Sequence, residues 1–128
     1  MNDIRHGSCL CGGVQFTTNG PLSDVMACHC GQCRKQTGHF LASTDVADTD
    51  LTVTGSQNLH WYRASPAAKR GFCRICGSTL FWKHDNEPKT SILAGSLDGD
   101  TGLKMKGHIF CANKGDYYEI DDGLPQRP

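Results

Sequence analysis

Val14, Phe16 and Thr18 alternate with Gln15 and Thr17, the period of two that marks a strand with one buried face, and Asn19-Gly20-Pro21 closes the run as a turn. Short runs rich in β-branched and aromatic residues follow at Val25-Met26-Ala27, His39 to Thr44, Leu51 to Thr54, Leu59 to Arg63, Thr79 to Lys83, Thr90 to Ala94 and Gly107 to Cys111. Between them lie a polar loop, Asp45 to Asp50, a Pro-bearing loop, Ala64 to Ala68, and a turn, Gly95 to Asp100. Only Arg34-Lys35-Gln36-Thr37-Gly38 reads as helical, one turn with Gly38 as its stop. The pattern predicts a mainly β fold with at most one short helix. The tail from Asp121 to Pro128, polar and proline-bearing, is expected to be flexible.

At 128 residues the chain fits one domain, 1–128, with a modest core that metal staples would reinforce. Thirteen basic and thirteen acidic side chains cancel, and no five like charges run together, so there is no electrostatic footprint for nucleic acid. No apolar run approaches the ~20 residues of a membrane span, and Met1 to His6 lacks an apolar signal core. The expected location is cytoplasmic. There, the eight cysteines are read as metal ligands rather than disulfides, because the compartment keeps thiols reduced.

The cysteine spacings divide into two sets. Cys9-Leu10-Cys11, followed by two glycines, is half of a metal site, and Cys73-Arg74-Ile75-Cys76-Gly77 is a knuckle that supplies the other half. The glycine after the knuckle lets the chain turn so that backbone N–H groups point at sulfur. Joined, the four thiols make a closed structural zinc site. Cys28-His29-Cys30-Gly31-Gln32-Cys33 offers three more thiols within six residues, with Gly31 expected to free the backbone for a tight turn. This claw has no obvious fourth ligand, and an open coordination position is where zinc chemistry takes place.

Two residues could close the claw. Cys111 stands alone in an apolar strand, where a cysteine more commonly serves as a small core residue. His29 sits between two ligands, but the middle side chain of an extended CxC points away from the metal. His6, His39, His60, His84 and His108 have no partner spacing and read as surface or hydrogen-bonded histidines. A zinc held by three thiolates acidifies water less than one held by three histidines, so hydrolysis is disfavoured. Binding a further thiol and making or breaking a carbon bond to its sulfur suits it better. The alternative is a non-enzymatic module in which two inert zincs serve structure or protein interaction.

Gly7-x-Cys9-x-Cys11-Gly12, Cys28-His29-Cys30-x-x-Cys33-Arg34-Lys35-x-Thr37-Gly38, Arg70-x-Phe72-Cys73-x-x-Cys76-Gly77, Ala94-Gly95-Ser96-Leu97-Asp98 and His108-Ile109 together resemble the glutathione-dependent formaldehyde-activating enzyme family over nearly the whole chain. The resemblance implies a β-tent fold of antiparallel sheets stapled by zinc. It further implies two Zn2+ per chain, a structural one on Cys9, Cys11, Cys73 and Cys76 and a catalytic one on Cys28, Cys30 and Cys33. The implied activity is that of a carbon-sulfur lyase resembling S-(hydroxymethyl)glutathione synthase, acting on glutathione and formaldehyde. Asp116-Tyr117-Tyr118 departs from the family pattern, which commonly has a tryptophan there. The two carboxylates of glutathione call for cations, and Arg34, Lys35, Lys69 and Arg70 flank the cysteine motifs.

Overall fold

The computed structural model describes residues 3–128; Met1 and Asn2 of the expected 1–128 domain lie outside the described residues. Among the described residues ten strands form two sheets. A three-stranded antiparallel sheet has the order β1 (Ile4–Ser8), β2 (Gln15–Asn19), β5 (Leu51–Thr54). A seven-stranded sheet has the order β10 (Met105–Ile109), β3 (Val25–Cys28), β4 (Leu41–Ala47), β9 (Lys89–Leu93), β8 (Thr79–His84), β7 (Ala68–Cys73), β6 (Leu59–Arg63). Every pair is antiparallel except β10 with β3, which is parallel. Hydrophobic period predicts a strand but not the direction of its neighbour, so that exception had no signal in the residues.

Alternation sends one set of side chains from each sheet into a shared core. Phe16 from the small sheet and Val14 just before its second strand meet Val46, Leu80, Phe81 and Ile92 from the large one, all close to fully buried. Phe16 meets Phe81 edge to face, with ring centroids 5.4 Å apart. Gly7 lies between the ring of its strand partner Phe16 and the Ser96 carbonyl oxygen, and a Cβ there would run into both. Cys9 and Cys73 border the same core, so the cysteine knuckle is continuous with the packing.

Several boundaries differ from the sequence reading. β4 continues through Asp45 to Ala47, and the expected polar loop shrinks to a single 3-10 turn, Asp48–Asp50. Asp45 is tolerated in a strand because Ser91 Oγ–H donates to it and Lys89 pairs with it. The helix is Gly31–Thr37 and begins inside the claw: Cys30 is its N-cap, with Sγ accepting from the Cys33 N–H at 3.3 Å, and Gly38 closes it at φ 83. Gly31 is not among the positive-φ glycines, and a Cβ there would make only an ordinary contact with Arg34 Nη2 at 3.9 Å, so the turn does not need its freedom.

The last strand stops at Ile109, because Phe110 enters the left-handed region at φ 56 and turns the chain away. Cys111 consequently lies half-buried in the 3-10 turn Cys111–Asn113, not in the core as expected. The tail, expected to be flexible, docks along β10. His108 N–H donates to Pro125 O, Arg127 N–H to His108 O and Cys111 N–H to Arg127 O, each at 2.9 Å, so strand-like pairing supplies what side-chain burial does not.

Candidate active site

Two cysteine clusters form, with the predicted memberships. In each, the ligand atoms lie within 4.8 Å of one another: Cys9, Cys11, Cys73 and Cys76 in one, Cys28, Cys30 and Cys33 in the other. A tetrahedral ion with bonds of ~2.3 Å to sulfur places its sulfurs about 3.8 Å apart. In the four-thiol cluster Cys9 Sγ and Cys11 Sγ are 3.6 Å apart, and Cys11 Sγ and Cys73 Sγ 3.8 Å apart, so the donor set fits such an ion.

The four-thiol knuckle joins two distant hairpins, and its sulfurs are wrapped by backbone. Val14 N–H donates to Cys9 Sγ at 3.3 Å, Gly13 N–H to Cys11 Sγ and Ile75 N–H to Cys73 Sγ, both at 3.4 Å. Gly77 takes φ 81, the left-handed turn the sequence called for. The Ser78 hydroxyl, followed by the Ser78 N–H, holds the Cys76 thiol down to about 5. Cys11 goes the other way, to about 11: the Gly13 N–H lowers it, but burial and the thiols of Cys9, Cys76 and Cys73 outweigh that bond.

The claw is assembled by the end of β3 and the start of the helix. Cys28 and Cys33 share a hydrogen bond that pushes the Cys28 thiol far up and brings Cys33 down to about 5, against burial; Arg70 supports the same thiolate. Arg70, buried to 5% exposure, donates from Nη2 to Cys33 Sγ at 3.5 Å and from Nη1 to Gln36 Oε1 at 2.7 Å. Its Nε is buried with no partner among the described residues. Cys111 is not a member of the three-thiol group, and His29 contributes no ligand atom to it.

The His29 ring is instead committed to a chain of hydrogen bonds, buried at its two histidines and ending on an exposed carboxylate, that the sequence reading missed. Its Nδ1 meets the Tyr118 hydroxyl and its Nε2 lies 2.9 Å from His108 Nδ1, while His108 Nε2 is 2.7 Å from Asp122 Oδ2. A carboxylate can only accept, so with both rings neutral the tautomers follow in order. His108 donates to Asp122, His29 donates to His108, and Tyr118 donates to His29. Burial, then the neighbouring His108, lowers the His29 pKa. The pair His108-Ile109 was visible as a motif, but nothing in linear spacing ties residue 29 to residues 108, 118 and 122.

The claw opens on a chamber of about 290 Å3 walled by Leu41, Trp82, Ile109 and Phe110, with Ser43, Ser65 and Ser91 as its hydroxyls and Arg70 as its charge. Phe110, 52% exposed at the rim, is the one non-glycine residue with positive φ among those described, a conformation that costs on the order of 1 kcal/mol and is kept where function or packing requires it. A larger depression of about 580 Å3 lies between the knuckle and the helix, but none of the claw cysteines lines it. Of the four predicted cations, Arg70 and Lys35 line the space beside the claw. Lys69 instead stacks over Trp61, its Nζ 4.4 Å from the ring centroid.

A mainly antiparallel β protein with two thiol clusters able to hold metal is the class that fold and site define. The family model for the glutathione-dependent formaldehyde-activating enzyme matches residues 4–113, and the chain belongs to that family. It is 30% identical over 116 residues to an uncharacterized lyase of Schizosaccharomyces pombe, covering 89% of this chain and 83% of that protein. It is 32% identical over 81 residues to a Phaeosphaeria nodorum protein provisionally named as a glutathione-dependent formaldehyde-activating enzyme, covering 62% of this chain but 43% of that relative. A crystal structure of a Rhodobacter sphaeroides protein superposes with a TM-score of 0.64 at 25% identity, over 79% of this chain and 99% of that one. No helix is long and apolar enough to cross a membrane.

Proposed function

We propose that the chain is a zinc-dependent carbon-sulfur lyase that joins a thiol such as glutathione to a small aldehyde such as formaldehyde, or releases the aldehyde from that adduct. One observation carries the reading: three thiols meet at the wall of a chamber, and the described residues supply no fourth ligand. Cys28, Cys30 and Cys33 would hold the zinc, which when bound supplies a Lewis-acid position that keeps an incoming thiol as thiolate.

The chain's own residues do the rest. Arg70 places its cation against Cys33 and balances part of the negative charge that three thiolates concentrate there. Leu41, Trp82 and Ile109 exclude water, which keeps a thiol adduct from decomposing in solvent and strengthens every polar contact inside. Ser43 and Ser65 offer hydroxyls to the aldehyde oxygen, while the Ser91 proton is committed to Asp45. As the sulfur-carbon bond forms, the carbonyl pair moves to oxygen, which takes up the proton lost from the thiol, so nothing is oxidised or reduced. Cys9, Cys11, Cys73 and Cys76 would hold a second, structural zinc, and the working location is the cytoplasm.

Cobalt substitution tests the open position. The visible bands of cobalt at the claw should shift with saturable dependence on glutathione, and should do so equally in Cys111→Ala. A wild type that shows no shift, with a response appearing only in Cys111→Ala, would mean that Cys111 closes the site in solution and that the chain is a structural module.

A further inference from the structure

Strand register lays out a row of side chains across the face of the large sheet that carries the claw. Asp45 pairs with Ser91, Ser91 with Trp82, Trp82 with Arg70 and Arg70 with Tyr62. Each step is one strand spacing, so Asp45 and Arg70 stand about 14 Å apart, with the claw above the middle of the row. The chamber continues at both ends. Beyond Ser43 and Ser91 it runs onto Asp45 and Lys106, and beyond Gln32 and Arg70 onto Lys35 and Tyr62.

The two ends differ in charge. The Asp45 end has one acid and one base. The other end has two cations and no acid. The Lys35 and Lys106 side chains are exposed and make no ion pair or hydrogen bond among the described residues, and Arg70 has a buried, unpartnered Nε. Asp45 already accepts from Ser91 at 2.6 Å and pairs with Lys89 at 3.2 Å, but a carboxylate has about four acceptor sites, so capacity remains.

Glutathione has the same asymmetry. Its γ-glutamyl end is a zwitterion, its glycyl end carries only a carboxylate, and its thiol lies between them. We propose that this trough reads the two ends of the tripeptide, the γ-glutamyl ammonium and carboxylate lying at Asp45 and Lys106 and the glycyl carboxylate at Lys35 beside Arg70. The inference rests on the thiol-binding reading of the claw and adds a direction and specificity-determining residues to it. Trp82 and the chamber's apolar wall cover the cysteinyl methylene between them.

Calorimetric titration of the zinc-loaded protein tests it with glutathione, γ-glutamylcysteine, cysteinylglycine and S-methylglutathione. Lys35→Ala should weaken glutathione and cysteinylglycine roughly three- to tenfold and leave γ-glutamylcysteine unchanged. Lys106→Ala should weaken glutathione and γ-glutamylcysteine by a similar factor and leave cysteinylglycine unchanged. Both side chains are exposed, so neither variant should lose its fold. An exchanged pattern, equal losses with all ligands, no losses, or no binding by any ligand overturns the trough. S-methylglutathione separates the two readings. If it binds as tightly as glutathione and keeps the end-dependence, the claw reading falls and the trough stands; if the free thiol adds affinity but the ends are not distinguished, the trough falls and the claw stands.

Discussion

The two cysteine clusters use the same donor atom in different surroundings, and those surroundings separate their roles. In the knuckle, four sulfurs surround one point and backbone N–H groups from Val14, Gly13 and Ile75 are spent on them, with Cys73 fully buried against the core. In the claw, three sulfurs face a chamber; the Cys33 N–H holds Cys30, but the donor on Cys33 is a side chain, Arg70, and the His29 chain lies behind. Backbone donors fix a geometry and cannot be moved. Side-chain donors and an unfilled direction leave room for a ligand. A closed set resists chemistry and an open one invites it.

Ligand replacement breaks the comparison most sharply. Cys73→Ser should cost folding itself, since the knuckle ties β1 and β2 to β7 and β8 and the free energy of a structural zinc, on the order of 10 kcal/mol, is folding free energy. Cys30→Ser should leave a folded protein lacking one metal, with the helix N-cap kept because a serine Oγ accepts from the Cys33 N–H as the thiol does. Thermal melts with metal analysis check both, and two variants equally folded or equally unfolded would erase the distinction. Wild-type protein should hold two zinc ions per chain.

Next in size is Arg70. Arg70→Lys keeps the charge but cannot reach Cys33, Gln32 and Gln36 together, and should lower metal affinity at the claw or turnover on the order of 10- to 100-fold while leaving the knuckle metal in place. A competitive chelator titration resolves the two ions. Release of both at once would show that the clusters are not independent.

Both clusters were legible as spacings, because CxC and CxxC bring thiols together through local chain geometry whatever the rest of the fold does. Most strands were legible from period and β-branching, but β1 and β7 were not: Lys69-Arg70-Gly71-Phe72 carries neither signal, although Arg70 is a buried strand residue. The histidine chain had no such signal. It depends on β10 running parallel to β3, which puts His108 beside Ala27 and within reach of His29, and on a tail whose pairing is made by backbone. Lys106 and Asp45 were missed for the same reason, as their position follows from register across strands far apart in sequence.

Tyr118→Phe should separate scaffold from chemistry behind the claw. It removes the donor to His29 Nδ1 and leaves a buried ring nitrogen without its partner, costing about 1–3 kcal/mol in denaturant unfolding. Both metals should remain bound, since His29 is not a ligand. Loss of the claw metal with stability unchanged would put the hydroxyl in the metal's environment instead of the scaffold.

The smallest expected effect is the control that belongs to neither cluster. Asp48 accepts from Lys83 Nζ and from Thr90 Oγ1, both at 2.7 Å, and pins the β4 end to β8 and β9. Burial raises its pKa, but the Lys83 and Thr90 bonds outweigh that and hold it below the ordinary 3.8. A depressed carboxyl contributes stability that is complete above the unfolded value and is lost only as pH falls through the folded one. Because its side chain is 40% exposed, solvent screens the pair, and Asp48→Asn should cost about 0.5 kcal/mol. That cost should be the same at pH 6 and pH 9, both far above the titration. Metal-coupled stability at the knuckle behaves differently, since protons compete with the ion for thiolates, and it should decline from pH 9 to pH 6. Unfolding measured at the two pH values in wild type and variant should therefore give parallel lines, each sloping with the thiolates. A variant whose deficit grows as pH falls would show that the Asp48 pair is coupled to the metal clusters.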